Sequence, residues 1–174
     1  MSLRRHLRPR ARPESLEVVD EFLRGDRNLV PSNAVVGLIV IDKTSYLMQL
    51  RSQKAGIFYP GHWGLFGGAV DDGEHADAAL VRELREELGI EVVGAEYFTE
   101  FSFDFGFCGR GQVWRRYYRV AVTARETKKM VLGEGSEMRA FTAHEILILP
   151  RLVPYDAFAI WLDTMQRQNT QAVR

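Results

Sequence analysis

The sequence predicts an α+β domain in which a mixed β-sheet packs against helices. Two hairpin patterns, Ala34 to Arg51 and Glu91 to Thr123, flank the clearest helical segment, Glu74 to Leu88. Strands and helices do not alternate regularly along the chain, which argues against a repeated βαβ array. The 174 residues suit a single domain with a substantial core.

The first half of the chain predicts a short helix followed by a hairpin. Residues 14–24 place apolar side chains at helical spacing. Ala34 to Ile41 is a continuous apolar run, and a turn joins it to a second strand, Tyr46 to Arg51. Ser52 to Gly61 contains too many glycines and prolines for a regular element, and it leads into a short strand at His62 to Phe66.

The second half predicts a long hairpin, a last strand and two helices. Glu91 to Phe107 and Gln112 to Thr123 are rich in β-forming residues and are joined by a turn with two glycines. Met138 to Phe141 is predicted as a strand, and helical patterns follow at Ala143 to Leu147 and Tyr155 to Met165.

Charge is distributed unevenly along the chain. Lys plus Arg and Asp plus Glu both number 23, but residues 1–12 hold five Arg and no acid, which leaves 18 basic against 23 acidic residues elsewhere. This balance gives no overall basic field, so we expect no stable nucleic-acid partner. We interpret residues 1–13 as a flexible Arg-rich tail, rather than a polyanion-binding arm or a targeting peptide, and residues 14–174 as the domain.

The apolar segments of the chain indicate its cellular location, and its cysteine content limits the disulfide and zinc chemistry that it can support. No apolar run approaches the length of a membrane span, and the start has no apolar region of a secretory signal, so we expect a cytoplasmic protein without a membrane partner. Cys108 is the single cysteine, which excludes an internal disulfide and argues against a cysteine-based zinc site.

The helix from Glu74 to Leu88 carries an acidic cluster. At about 100° per residue, three glutamates share one side of the helix and three leucines form a stripe about a third of a turn away. Carboxylates at this spacing repel one another, so a bound cation such as Mg²⁺ explains them, and a solvated charged face with local Arg pairs is the alternative. The glutamates are Glu83, Glu86 and Glu87, and the leucines are Leu80, Leu84 and Leu88.

The segment before this helix favours a binding site. Gly67 to Glu74 is a glycine-rich loop between a strand and a helix, and its backbone can approach a metal or a phosphate closely. Glu74 can reach Arg82 across two turns or cap the helix start. The spacing of loop and helix together resembles the Nudix box, G-x5-E-x7-R-E-U-x-E-E-x-G-U with U aliphatic, at all nine specified positions. These are Gly68, Glu74, Arg82, Glu83, Leu84, Glu86, Glu87, Gly89 and Ile90.

The resemblance implies the Nudix fold, a mixed sheet sandwiched between helices, from about Ser32 to Met165, and a Mg²⁺-dependent pyrophosphohydrolase, with Mn²⁺ as a substitute ion. Such an enzyme cleaves a diphosphate linkage in a nucleoside diphosphate derivative by attack of water on phosphorus. It implies that Arg82 orients the carboxylates through Glu74 or Glu86, and that Glu83 is one candidate general base. The implied metal ligands are Glu83, Glu86, Glu87 and the backbone carbonyl of Gly67.

Other residues are candidates for the rest of the site. Family members often add a carboxylate from a distant loop, and Glu134, as a metal ligand, or Glu137, in catalysis, is placed to supply it, unless this segment is an ordinary exposed turn. Arg51, Trp63 and Arg116 are candidate substrate contacts. Phe66 stands where many members have proline, which leaves the metal ligands untouched.

An aromatic strand face allows more than one interpretation. Phenylalanines at period two are more typical of a core or a homodimer interface than of nucleobase stacking. They are Phe101, Phe103, Phe105 and Phe107.

Three other functions are alternatives, of which the first is disfavoured, and two substrate classes stay open. Isopentenyl diphosphate isomerase shares the fold but uses a cysteine on a strand ahead of the helix, whereas Cys108 follows it. A non-catalytic Nudix module that senses a nucleotide would be favoured by a lost box carboxylate, and none is lost. A structural interaction domain would use the aromatic hairpin. Among hydrolase substrates, a nucleoside triphosphate and a nucleotide-sugar remain.

Overall fold

The computed structural model describes residues 32–54, 57–106 and 111–172. Within them, six strands form one sheet: β1 (Ala34–Ile41), β2 (Ser45–Leu50), β3 (Trp63–Gly64), β4 (Glu96–Asp104), β5 (Gln112–Val122) and β6 (Glu137–Thr142). The helices of the same residues are α1 (Ala76–Leu88), α2 (Ala124–Thr127), α3 (Ala143–Leu147) and α4 (Pro154–Ala172).

The sheet is mixed, with the strand order β3-β2-β1-β5-β4 and β6 paired to β2. β1 runs parallel to β5, and the other pairs of strands are antiparallel. All eight residues of β1 are buried, because helices cover the sheet on both sides of this central strand. The apolar run that predicted β1 therefore reflects burial on two faces.

Two hydrophobic cores give the domain its layers. On one face of the sheet, Leu80, Leu84 and Leu88 of α1 pack with Val35 and Ile39 of β1. On the other face, Ala159 and Ile160 of α4 pack against alternate residues of the same strand, including Val36 and Leu38. The predicted arrangement, a mixed sheet between helices in the α+β class, is confirmed.

Several predicted bounds differ from the observed ones. β4 begins at Glu96 instead of Glu91, after a turn in which Gly94 has a φ of 78°. The short helix α2 was not predicted, and a capping box between Thr123 and Glu126 begins it. The predicted tail at residues 1–13, the predicted helix at residues 14–24 and the turn around Cys108 lie outside the described residues.

The aromatic face of β4 packs towards α4. The ring centroids of Phe101 and Phe158 are 4.9 Å apart, and those of Phe103 and Tyr155 are 5.7 Å apart. Phe105 is buried. These contacts place the described part of the phenylalanine face against a helix of the same chain.

In the described part of the chain, no helix combines the length and apolar character that crossing a membrane requires.

Candidate active site

Helix α1 presents its glutamates at one end of the sheet. Burial of Leu80, Leu84 and Leu88 fixes the rotation of the helix, because these three side chains are at most 1% exposed. Glu83 and Glu87, one turn apart, then face a cavity next to the glycine loop, whereas the side chain of Glu86 is 59% exposed. The three acidic residues of the helix therefore have different surroundings.

Glu87 is held from two sides. Its Oε1 accepts a hydrogen bond from Nε2 of Gln49 on β2 at 2.9 Å, and its Oε2 accepts one from the backbone N–H of Gly67 at 2.6 Å. Only 6% of the residue is exposed. Burial raises the pKa of Glu87 to about 7, although both hydrogen bonds act in the opposite direction. The effect of burial therefore outweighs the two hydrogen bonds and the positive charge of Arg51.

Arg82 links the loop before the helix to Glu83. Its guanidinium donates to both carboxylate oxygens of Glu74, to Oε1 of Glu83 at 2.7 Å and to the backbone carbonyl of Ala69 at 2.9 Å. The hydrogen bonds from Arg82 hold the pKa of Glu74 below its usual value. Glu74 also accepts from the backbone N–H of Asp71, so it connects the turn before α1 to the arginine.

The carboxylate of Glu83 lies directly over Gly68. A Cβ atom on Gly68 would be 2.3 Å from Oε2 of Glu83, a distance that no side chain could keep. The Glu83 carboxylate can therefore occupy this space only because residue 68 is a glycine and has no Cβ atom. Burial raises the pKa of Glu83, and the neighbouring charges of Glu86 and Glu134 add to this rise.

A cavity of about 510 Å³ joins these groups to residues of two other loops. Its acidic side chains are Glu83, Glu87 and Glu134, and the last of these stands between Gly133 and Gly135 in the segment before β6. Arg51 and Lys54, from the segment after β2, supply positive charge to the same cavity. Nε of Arg51 also donates to the carbonyl of Phe58 at 2.7 Å, which ties this segment to the loop before β3.

The donor set of the cavity suits a hard cation. Glu83, Glu87 and Glu134 offer carboxylate oxygens, and Gly67 and Gly68 bring backbone to the same wall. Among the described residues, no three Asp, Glu, His or Cys side chains already form a complete metal cage. In general, Mg²⁺ is bound by one or two protein carboxylates and takes its other ligands from water and phosphate oxygens.

Several candidate residues do not line the cavity, although Glu86 lies close enough to Glu83 for its charge to raise the pKa of that residue. The described residues that line the cavity do not include Glu86, Glu137, Trp63 or Arg116. Glu137 is the first residue of β6 and pairs with Leu50, and the ring of Trp63 packs on Phe141 with centroids 4.8 Å apart. Arg116 donates to Glu100 at 2.7 Å. Of the candidate substrate contacts, Arg51 alone lines this cavity in the described part of the chain.

The structure adds residues that the sequence did not indicate. Gln49 and Lys54 line the cavity, and neither belongs to a recognisable spacing pattern. The Gly133-Glu134-Gly135 triplet was a visible signal, because two glycines beside one acid are typical of a loop that approaches other backbone closely. Phe66 is fully buried in the core beside α1, and the Gly67 backbone still reaches Glu87.

Comparisons with known proteins show a sequence family and a fold that this chain shares. The NUDIX domain model matches residues 31–162. The nucleoside triphosphatase NudI of Escherichia coli O139:H28 is 39% identical over 69 residues, which are 40% of this chain and 48% of that protein. NudI of Shigella flexneri serotype 5b gives the same values. The chain thus spans about half the length of these curated relatives.

Solved structures share the fold at low sequence identity. The MutT protein from Methanosarcina mazei Go1 superposes with a TM-score of 0.64 and 23% identity, covering 80% of this chain and 98% of that one. The NUDIX domain of Shewanella oneidensis NrtR, complexed with ADP ribose, gives a TM-score of 0.60 and 16% identity, covering 86% and 97%.

Proposed function

The chain belongs to the Nudix family, and from this we propose that it is a Mg²⁺-dependent pyrophosphohydrolase that cleaves a diphosphate linkage in a nucleoside diphosphate derivative. One observation carries the proposal. Three carboxylates, Glu83, Glu87 and Glu134, face the same cavity as two cationic side chains, Arg51 and Lys54. A diphosphate needs both kinds of group, because its oxygens bind metal ions and cationic side chains.

Mg²⁺ is the cation we propose, with Mn²⁺ as a substitute, held by Glu83 and Glu87 and by Glu134 from the opposite loop. When bound, it neutralises diphosphate oxygens and makes a water molecule more acidic. The family generally uses a divalent metal. The raised pKa values of Glu83 and Glu87 support a cation at this position, because a positive charge there offsets the cost of burying their charges.

The side chains of the chain itself position the reaction. Arg82 holds Oε1 of Glu83, so this carboxylate keeps one orientation during turnover. We assign Glu83 as the general base, which accepts the proton of the attacking water. The oxygen of that water bonds to phosphorus while the bridging P–O bond breaks, and the second phosphate leaves with its electron pair. Arg51 and Lys54, which line the same cavity, hold the phosphate oxygens.

A nucleoside triphosphate is the substrate class we favour over a nucleotide-sugar. The support is the 39% identity to proteins named nucleoside triphosphatase. This identity covers 40% of the chain, so the activity of those relatives is a guide to the first substrates to test.

A substrate screen tests the proposal. Nucleoside di- and triphosphates, nucleotide-sugars and dinucleotides are incubated with the protein and Mg²⁺, and released phosphate and pyrophosphate are measured. We expect turnover that is abolished by EDTA and reduced at least about 100-fold in Glu83→Gln, since removing a general base typically costs 100- to 10,000-fold. An inert wild-type protein that binds one of these nucleotides would instead support a non-catalytic nucleotide-binding module.

A further inference from the structure

Gln49 is a buried amide at the edge of the site. It lies on β2, is 3% exposed, and pairs in register with Gly64 of β3 on one side and Met138 of β6 on the other. A buried amide is costly unless its polar atoms are hydrogen-bonded. The partners of Gln49 therefore indicate what this residue does.

The first partner is the carboxylate of Glu87. Nε2 of Gln49 lies 2.9 Å from Oε1 of Glu87 and 3.4 Å from the carbonyl oxygen of Leu65. The other oxygen of Glu87 accepts from the backbone of Gly67. Two donors from different elements thus fix the plane of this carboxylate, one from β2 and one from the loop after β3.

The second partner is the loop that carries Glu134. A Cβ atom on Gly135 would lie 2.9 Å from Oε1 of Gln49, so the backbone of this loop packs directly on the amide. At the other side of the loop, Gly133 donates to the carbonyl oxygen of Glu87 at 2.8 Å, and a Cβ there would lie 2.3 Å from the carbonyl oxygen of Glu86. Glu134 is therefore held between the end of α1 and the side chain of Gln49.

We propose that Gln49 is a positioning residue that sets the Glu87 carboxylate and the Glu134 loop relative to each other. Its amide touches both, whereas the hydrogen bonds that the backbone N–H groups of Gly133 and Ser136 donate go to main-chain carbonyls of Glu87 and Leu50. The role rests on the proposed function, since it acts through two proposed metal ligands. It predicts that loss of the amide weakens metal binding and lowers kcat while KM for the nucleotide changes little.

The test uses Gln49→Met, which keeps the length of the side chain and removes the donor, and Gln49→Glu, which replaces the donor by an acceptor facing Glu87. Two quantities are measured on the full chain: kcat and KM with a hydrolysed nucleotide, and Mn²⁺ affinity without substrate by electron paramagnetic resonance. We expect both variants to lose roughly 10- to 100-fold in kcat and in Mn²⁺ affinity, the usual effect of removing a group that orients a metal ligand. KM should stay within about 3-fold.

Tyr46→Phe is the matched control. Tyr46 is buried on the same strand, and its hydroxyl donates to Asp163 of α4 at 2.6 Å, on the opposite face of the sheet. This variant also loses a buried hydrogen bond from β2, but it should keep wild-type kcat and Mn²⁺ affinity. An equal loss in Tyr46→Phe would show that general destabilisation explains the effect of Gln49, and the proposal would be overturned.

Three further results would overturn it: unchanged kcat and Mn²⁺ affinity in Gln49→Met, a rise in KM with unchanged kcat, or a wild-type protein that neither binds Mn²⁺ nor hydrolyses any diphosphate. Failure of the proposed function alone has a different signature. The wild type would then bind Mn²⁺ without turnover, and the weaker Mn²⁺ affinity of Gln49→Met would still support the positioning role.

Discussion

Arg82 and Glu74 are joined by two hydrogen bonds, from Nε to Oε1 at 3.0 Å and from Nη2 to Oε2 at 2.8 Å. The third corner of the same guanidinium donates to Glu83. A planar guanidinium holds its donors in a fixed fork, whereas a lysine ammonium is a point charge on a flexible chain. The orientation of the Glu83 carboxylate therefore depends on the planar shape of the Arg82 guanidinium as well as on its charge.

Arg82→Lys should lower kcat by roughly 10- to 100-fold, because a lysine cannot bind Glu74 and Glu83 simultaneously in this geometry. Steady-state kinetics at saturating Mg²⁺ measures the loss. Arg85→Lys is the control, since Arg85 is an exposed arginine of the same helix and should tolerate the change. Wild-type kcat in Arg82→Lys would contradict the role assigned to the fork.

Gly68→Ala and Gly73→Ala should have opposite effects. A Cβ on Gly68 displaces the flexible end of Glu83, so kcat should fall roughly 10- to 100-fold with a small change in Tm. Gly73 has a φ of 79° and no atom within 4 Å of its Cβ position, so alanine there should cost about 1 kcal/mol of unfolding free energy and leave kcat unchanged. Kinetics and thermal unfolding of both variants test this, and equal kcat values would refute it.

The order of elements could be predicted because it depends on local periodicity. A strand buried on both faces gives the unbroken apolar run of β1, and a helix with one buried face gives the helical spacing of the leucine stripe in α1. The start of β4 was misplaced and the helix α2 was not predicted, because a turn at Gly94 decides the first and a capping box decides the second. Such short-range features compete closely with their alternatives.

The helix and its loop could be predicted as a connected unit, whereas Arg51 and Glu134 could be predicted only as separate candidates. Spacing placed Glu83, Glu86 and Glu87 on one side, but it does not show that Glu87 is buried and Glu86 exposed, because this depends on where the sheet lies. Gln49 and Glu134 are distant from the box in sequence. Their approach depends on the pairing of β2 with β6, which no local pattern reveals.

Glu134→Gln and Glu137→Gln should separate the two candidate loop acids. Glu134 lines the cavity, and its charge contributes to the raised pKa of Glu83, whereas Glu137 is an exposed residue of β6. We expect Glu134→Gln to lower kcat and raise the Mg²⁺ concentration that gives half-maximal rate, each by about 10-fold or more. Glu137→Gln should change either value less than about 2-fold. The reverse order would assign the role to Glu137.

Asp163→Asn should destabilise the domain without altering kcat. Asp163 is fully buried in α4, where it accepts a hydrogen bond from Tyr46 and pairs with Arg119 and Arg167. Removing one partner of a buried ion pair costs about 3–5 kcal/mol, and we expect a loss near the lower end because both arginines are partly exposed. Urea unfolding measures this loss. Gln166→Ala removes an exposed contact of Arg119 and should cost less than about 0.5 kcal/mol.

The stability of the metal-free protein should fall as the pH rises from 5 to 8. Burial raises the pKa of Glu87 to about 7, above the value of about 4.3 in an unfolded chain, so the folded state binds a proton that the unfolded state has released. The contribution of Glu87 is therefore fully present below about pH 4 and is lost as the pH approaches 7. It amounts to about 3.5 kcal/mol for a shift of this size.

Urea unfolding in EDTA at several pH values tests this dependence. Glu87→Gln has no proton to lose at this position, so its free energy of unfolding should vary less with pH than that of the wild type. Glu86→Gln, a change at an exposed residue of the same helix, should keep the wild-type slope. Saturating Mg²⁺ should flatten the wild-type profile, because the cation offsets the charge of Glu87 above pH 7. The same slope in the wild type and in Glu87→Gln would show that this carboxylate titrates normally in the folded protein.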